Sequence, residues 1–426
     1  MGSIFGMLWW LENVRIWTNK QLIDGAIEID TGRGTINRIS RSAPKPGIDG
    51  NGLWVLPGMI DIHVHLRDFE ESYKEDFRTG SLAALHGGVT TVFDMPNKKP
   101  PLITLEDLAQ AQTKIRKKGL IDIYSYLLLK REYAEWGSHK YLKGIYGGTF
   151  GATTSSMSDL HWAIENFAGF LALHLEDPAF FNSEALMHHD KRPPKAESEA
   201  VRKLISDLPK ARQAHIHIAH LSTKEALATV IRANNSSITC EATPHHAFLD
   251  TSWVSLIGNR SIMNPPLRSP SDRKAIHQGL ASGAINIVAS DHAPHTIEEK
   301  ENKGLSGVPG LETTLPLLLT DIAQGNLSIK RVIQLFSEGP AKLMDLRDRG
   351  KISQGHVADL VLVNPKTEWK LTADCLYTKC KWSPFEDRKF VGAVSATLKK
   401  GIVVFMDEDS LPGSFLDQAP AQLIKS

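Results

Sequence analysis

The segment GMIDIHVHLRD, Gly58 to Asp68, decides how the chain is read. Side chains alternate across a strand, which puts Asp61, His63, His65 and Arg67 on one face and Ile60, Ile62, Val64 and Leu66 on the other. Taken alone, such a segment is an edge strand with its ionisable face in water. That reading gives way if other strands end in the same chemistry, because metal-type side chains at several strand ends need a common target.

Outward from this segment, residues 56–345 alternate apolar runs with amphipathic stretches such as LEDLAQAQTKIRKKG and TKEALATVIRANN. Strands are expected at 59–66, 90–95, 121–128, 142–146, 170–175, 214–221, 237–243 and 285–290. Several of the helical stretches carry acidic residues in the first turn and Gly or Asn near the end, as the helix dipole and C-cap geometry favour. Eight strands alternating with helices predict an α/β fold, a (β/α)8 TIM barrel. A doubly wound open sheet would need a Gly-rich dinucleotide fingerprint after an early strand, and none is present. Short strands with turn signals fill residues 1–55, and strands return in HVADLVLVNP and AVSATLKKGIVVF. Neither end has enough strands to bury a face alone, so residues 1–55 and 350–426 are expected to pair into one small β-sandwich domain beside a catalytic barrel of residues 56–349. The last twenty residues, polar and Pro-containing, are expected to be loosely held.

Composition narrows the function classes. A formal net charge of +1 gives no field for nucleic acid or an anionic membrane, and no apolar run has membrane-spanning length. The N-terminal IFGMLWW is short, lacks a basic leader and does not read as a signal peptide. Cys240, Cys375 and Cys380 have no C-x-x-C spacing, which argues against a disulfide framework or a thiolate zinc site and favours a reducing, cytoplasmic setting.

In a parallel barrel, functional side chains project from the C-terminal ends of strands. His63 and His65 end the first expected strand, Lys143 lies in the fourth, His174 ends the fifth, His220 the sixth and Asp291 the eighth. The edge-strand reading fails on that coincidence. Neutral imidazole and carboxylate suit Zn²⁺, and an H-x-H pair points two nitrogens at one place. An ammonium is no ligand. Read by pattern alone, Lys143 is an ordinary surface lysine, but a buried neutral amine can add CO₂ and become an anionic carbamate that bridges two ions. His188 and His189, in the loop MHHDKRPPK, read as ordinary loop histidines, as do His86, His139, His161, His277 and His356 on helices or loops. His215 and His217 are ambiguous in orientation. His245 and His246 are read as supporting groups rather than ligands.

The motifs GMIDIHVHLRD, TTVFDMPN, LKGIYGGTF, HLED, HIAHLST, CEATPHH, NPPLR, SDHAPHT and GVPGLETTLPLLLT are similar to those of the amidohydrolase superfamily and, within it, the long dihydroorotase family, over about residues 50–400. H-x-H and S-D-H identify the superfamily. Arg67 after H-x-H, Asn97 in M-P-N and His295 in D-H-A-P-H mark the narrower family. The resemblance implies a zinc-dependent cyclic amide hydrolase that interconverts N-carbamoyl-L-aspartate and (S)-dihydroorotate plus water in de novo pyrimidine biosynthesis. It implies two Zn²⁺ per subunit, with His63, His65 and Asp291 on one, His174 and His220 on the other, and Lys143 as N6-carboxylysine between them beside a bridging hydroxide. The Thr149–Phe150 pair six and seven residues after Lys143 matches the family pattern. Asp291 would shuttle the proton, Arg67, Asn97 and His295 would grip the substrate carboxylate, and Asn264 with the backbone at Pro309–Gly310 would hold the ring amides. A homodimer or association with other pyrimidine-pathway enzymes stays open. Departures from the family pattern fall at Phe69–Glu70 (usually Pro-Gly), Lys98 (usually Thr) and Ala219 (Cys in some relatives), and none removes a ligand. The alternatives are a dihydropyrimidinase, hydantoinase or allantoinase acting on an uncharged ring, which has no need of Arg67, and a barrel without catalysis serving as a scaffold.

Overall fold

The computed structural model describes residues 6–148, 154–209 and 212–422. Eight parallel strands form the barrel: Met59–Val64, Val89–Asp94, Asp122–Ser125 (resuming as Leu127–Leu128), Tyr141–Tyr146, Phe170–Leu175, His215–Ile218, Ile238–Ala242 and Ile287–Val288. Each pairs in parallel with the next along the chain. The ring closes where Val64 bridges His292 in parallel and the His65 N–H donates to the His292 carbonyl at 2.7 Å. The Asp61 carboxylate adds to that seam, accepting from the Ser290 N–H at 3.1 Å.

Local sequence explains the intervening helices. Thr104 and Ser156 cap Leu105–Lys118 and Met157–Asn166 with reciprocal side-chain bonds to Asp107 and Asp159. Asn234, in left-handed backbone at φ 41°, ends Lys224–Ala233.

The opening strand departs from strict alternation. Its pairing with the second strand slips between Asp61 and Val64, which is a bulge with one extra residue on the first strand. Ile60 and Ile62 therefore pack inside the barrel with Phe93, Phe170, Ala172 and Ala289. Val64 and Leu66 join the cluster between barrel and helices, with Ala83, Leu311 and Leu315. The face predicted as wholly apolar is thus divided. Every residue from Met59 to Val64 is buried, which excludes the edge-strand reading.

Both chain ends share a second sheet. Its order runs Ile402–Met406, Lys389–Lys399, Leu360–Lys370, Trp54–Pro57, Leu8–Thr18, Gln21–Asp30, Thr35–Ser40. The ends meet where Trp54–Pro57 pairs antiparallel with Leu360–Lys370. The sheet has its own core of Trp9, Leu11, Ile16, Ile27, Val55, Leu362 and Leu398. The tail is better held than its polarity suggested. Phe415, on the short helix Gly413–Gln418, is fully buried in that core, and Val403 exchanges backbone bonds with Pro420 and Gln422. Leu411 and Phe415 supply the anchors that average polarity conceals. Among the described residues, no helix is long and apolar enough to cross a membrane.

Candidate metal centre and substrate pocket

One pocket at the C-terminal ends of the strands is lined by His63, His65, Lys143, His174, His220 and Asp291, together with Arg67, Asn97 and Asn264. Ligand atoms of His63, His65 and Asp291 all lie within 4.8 Å of one another, close enough to hold a metal ion. The Asp291 Oδ1 is 3.3 Å from His63 Nε2 and 3.1 Å from His65 Nε2. Across the pocket, His174 Nδ1 faces His220 Nε2 at 2.9 Å. Burial lowers the pKa of all four imidazoles, and Lys143 or Arg67 nearby lowers those of His63 and His65 further. Neutral rings keep the lone pair a metal needs.

Lys143 lines the same pocket. Its Nζ is buried and has no hydrogen-bond partner among the described residues. Burial brings its pKa down to about 8. An unpartnered amine among converging lone pairs is an expensive arrangement for a lysine kept only for packing. His220 and Asp291 both leave their strands in left-handed backbone, at φ 39° and 47°. For non-glycine residues that costs about 1–2 kcal/mol each, and here it turns two side chains into the same space.

Two buried carboxylates, which the sequence reading passed over, orient these rings. Glu241, two positions after the inward-facing Thr239 on the seventh strand, accepts from His63 Nδ1 at 2.5 Å, His217 Nε2 at 3.0 Å and the His220 N–H at 3.2 Å. Burial works against its ionisation, but His63 and His217 outweigh that and hold the carboxyl well below the usual range. Glu176 stands 3.1 Å behind His174 Nε2 and is paired with Arg192. Burial opposes its ionisation too, yet His174 and Arg192 bring it down to about 2. His63 and His174 thus each have one ring nitrogen on a carboxylate and the other aimed into the pocket, the usual arrangement behind metal-binding histidines, while Glu241 holds His220 through its backbone N–H. A charged residue closing an apolar strand, as Glu241 does in ITCEA, was the available signal.

Arg67, in the same lining, begins a run of three residues at positive φ, Arg67, Asp68 and Phe69, at φ 54°, 55° and 52°. Lys98 secures that turn. Its Nζ donates to the Arg67 carbonyl at 2.9 Å and pairs with Asp94 at 2.6 Å, so this departure from the family pattern has a structural use. Asn97 buries its Oδ1 next to the His65 ring, whose protonated form it favours. His295 Nε2 donates to the Ser306 carbonyl at 3.1 Å and stands 3.2 Å from Arg67 Nη2, outside the pocket lining. Burial and the guanidinium push its ring down to about 2. Pro309 and Gly310 are also outside the lining, which at that point is Ala293, Ser306 and Gly307. The Gly310 N–H is engaged by His292 Nδ1 at 3.2 Å, because Gly310 caps the helix Leu311–Ala323 and its amide belongs to that junction. Thr149 and Phe150 lie outside the described residues. His246 bonds the Pro265 carbonyl at 2.9 Å, a supporting place, whereas His188, set aside as a loop histidine, bonds Asn264 directly at 2.9 Å.

Comparison with known proteins bears on this geometry. Residues 54–404 match the model of the amidohydrolase family. The chain is 36% identical over 399 residues to a dihydroorotase of Pyrococcus abyssi, covering 92% of this chain and 93% of that one. It is 35% identical over 404 residues to a dihydroorotase of Thermococcus kodakarensis, covering 93% and 94%. Among solved structures it is similar to an L-hydantoinase (dihydropyrimidinase) from Arthrobacter aurescens, with a TM-score of 0.87 at 23% identity over 93% of this chain and 96% of that one. At that identity the likeness speaks to the fold.

Proposed function

Because the chain belongs to the amidohydrolase family, in its dihydroorotase branch, we propose that its pocket opens the ring of (S)-dihydroorotate to N-carbamoyl-L-aspartate and closes it in reverse, a step of pyrimidine biosynthesis. The observation that carries the substrate is Arg67, lining the same pocket as the histidines. Dihydroorotate is a cyclic amide bearing one carboxylate, and a planar guanidinium matches a carboxylate with two parallel donors. Hydantoins and dihydropyrimidines have no such group. Asn97 and Asn264, which line the same pocket, are the further contacts to the substrate.

The donor set suits two Zn²⁺ ions. His63, His65 and Asp291 would hold one, His174 and His220 the other, and Lys143, carboxylated, would reach both. When bound, such ions supply Lewis-acid polarisation of the ring carbonyl and a more acidic water. The protein's own part is positional. Glu241 and Glu176 fix the tautomers of His63 and His174, and Arg67 fixes the ring against them. Asp291, its Oδ1 beside His63 and His65, is the carboxylate placed to take up a proton as water oxygen adds to the carbonyl carbon. Asp291 then returns that proton to the ring nitrogen as the C–N bond breaks. In the synthetic direction the same atoms run in reverse. Unpaired thiols at Cys240, Cys375 and Cys380 support a cytoplasmic setting.

The test is Arg67→Met. Metal content should stay at the wild-type level while kcat/KM for dihydroorotate falls by about 3 kcal/mol or more, the scale of removing one partner of a buried charge-assisted contact. Near-normal turnover would move the carboxylate site elsewhere and reopen the uncharged-ring reading.

A further inference from the structure

We infer that His188 is a positioning residue that presents the amide nitrogen of Asn264 to the substrate, so that the ring group meeting Asn264 is a carbonyl oxygen. The inference rests on the dihydroorotase reading for the identity of that carbonyl, but its structural half stands on the protein alone. His188 Nε2 lies 3.0 Å from the Met263 carbonyl oxygen and 2.9 Å from Asn264 Oδ1. A backbone carbonyl only accepts, so Nε2 carries the proton, and the same N–H is shared with the amide oxygen. The opposite amide orientation would set an NH₂ donor against an N–H donor. With Oδ1 taken by His188, the half-buried Asn264 has its NH₂ to offer the pocket it lines.

The segment that carries His188 is fixed at its other end by the metal side of the site. Arg192, which follows the short helix His188–Lys191, pairs with Glu176 behind His174, donates to the Gly147 carbonyl at 2.8 Å and lies over the Phe181 ring. Arg268, four residues after Asn264, returns a bond to the Arg192 carbonyl. One loop therefore ties the orientation of a metal-side ring to the orientation of Asn264. Dihydroorotate has two ring carbonyls. One is attacked, and the other, the ureido carbonyl between the two nitrogens, is an acceptor with no role in bond breaking. That oxygen is the one the Asn264 NH₂ holds.

Steady-state kinetics on the metal-replete enzyme tests this with dihydroorotate and its analogue bearing sulfur at the ureido position, a weak acceptor. His188→Phe should raise KM about ten-fold with kcat nearly unchanged, the scale of one hydrogen bond. The sulfur substitution should penalise the wild type about ten-fold and the Phe variant much less, because the contact is already lost. His188→Gln, whose amide can donate to Asn264, should recover part of the loss. An unchanged KM, or an equal sulfur penalty in both proteins, overturns the proposal. If the wild type turns over no dihydroorotate, the parent reading fails and the ¹⁵N shifts of the His188 ring, assigned by difference from the Phe variant, decide the rest. A proton on Nε2 upholds the orientation of Asn264, and a bare Nε2 overturns it.

Discussion

Replacing Glu241 by Gln keeps the shape of a side chain that three groups lean on and removes only its charge. In the wild type the carboxylate accepts from His63 Nδ1, His217 Nε2 and the His220 N–H. Gln can still offer its oxygen to His63, and its NH₂ can donate to His217 if that ring moves its proton to Nδ1, 2.8 Å from the Thr239 hydroxyl. Folding should therefore survive. Hydrogen bonds to an ionised group contribute about 1.5–3 kcal/mol and neutral ones about 1, so two imidazole bonds together lose roughly 1–4 kcal/mol. Most of that loss falls on the basicity of the His63 nitrogen aimed at the metal. The independent expectation for a carboxylate behind a metal-binding histidine is a loss of about 10–100-fold in metal affinity, which is about 1.4–2.8 kcal/mol. The two figures agree. Competition between protein and a chelator of known affinity reads the change directly, with turnover at saturating zinc measured alongside. Glu241→Gln should bind zinc one to two orders of magnitude more weakly. Equal affinity and equal turnover would refute the reasoning, because Glu241 would then be a buried charge with no influence on the rings it touches.

Lys143→Ala should lose turnover and the second zinc together, and short carboxylic acids added to the buffer should restore part of both by filling the vacated space. An Ala variant with two zincs and a normal rate would make Lys143 an ordinary lysine. Glu176→Gln should change the pH dependence of stability in the metal-free protein. The folded pKa of Glu176 is depressed from 4.5 to about 2, so its stabilisation is present above 4.5 and is lost as pH falls through about 2. The gap in denaturation midpoint between wild type and variant should thus be wide at neutral pH, up to roughly 3 kcal/mol, and close by the acid end. A gap that does not change with pH would mean the carboxylate is not held ionised by His174 and Arg192.

The barrel was legible because its strands are apolar runs ending in ligand-type residues, and the ends are where a parallel barrel exposes chemistry. His63, His65, His174, His220 and Asp291 could be found that way, since residue type and strand position agree. Three features were not. The bulge between Asp61 and Val64 leaves no mark in a pattern that alternates perfectly on paper, and it exists because the pairing with the second strand demands it. Pro309 and Gly310 match a motif, but motif position does not say whether an amide faces a ligand or is taken by His292. His188 opens a one-turn helix too short for any periodicity to predict its direction, and its partner Asn264 is far along the chain. Lys143 was placed by resemblance. Its burial and its unpartnered nitrogen are what distinguish it from a surface lysine.

The most direct measurement is the rate of ring opening by metal-replete protein on dihydroorotate, dihydrouracil, hydantoin and allantoin, with cyclisation of N-carbamoyl-aspartate followed in the same preparation. The site described here predicts turnover of dihydroorotate and its reverse, with the uncharged rings slower by about two orders of magnitude or more for want of a partner for Arg67. Faster opening of dihydrouracil, hydantoin or allantoin than of dihydroorotate would contradict it.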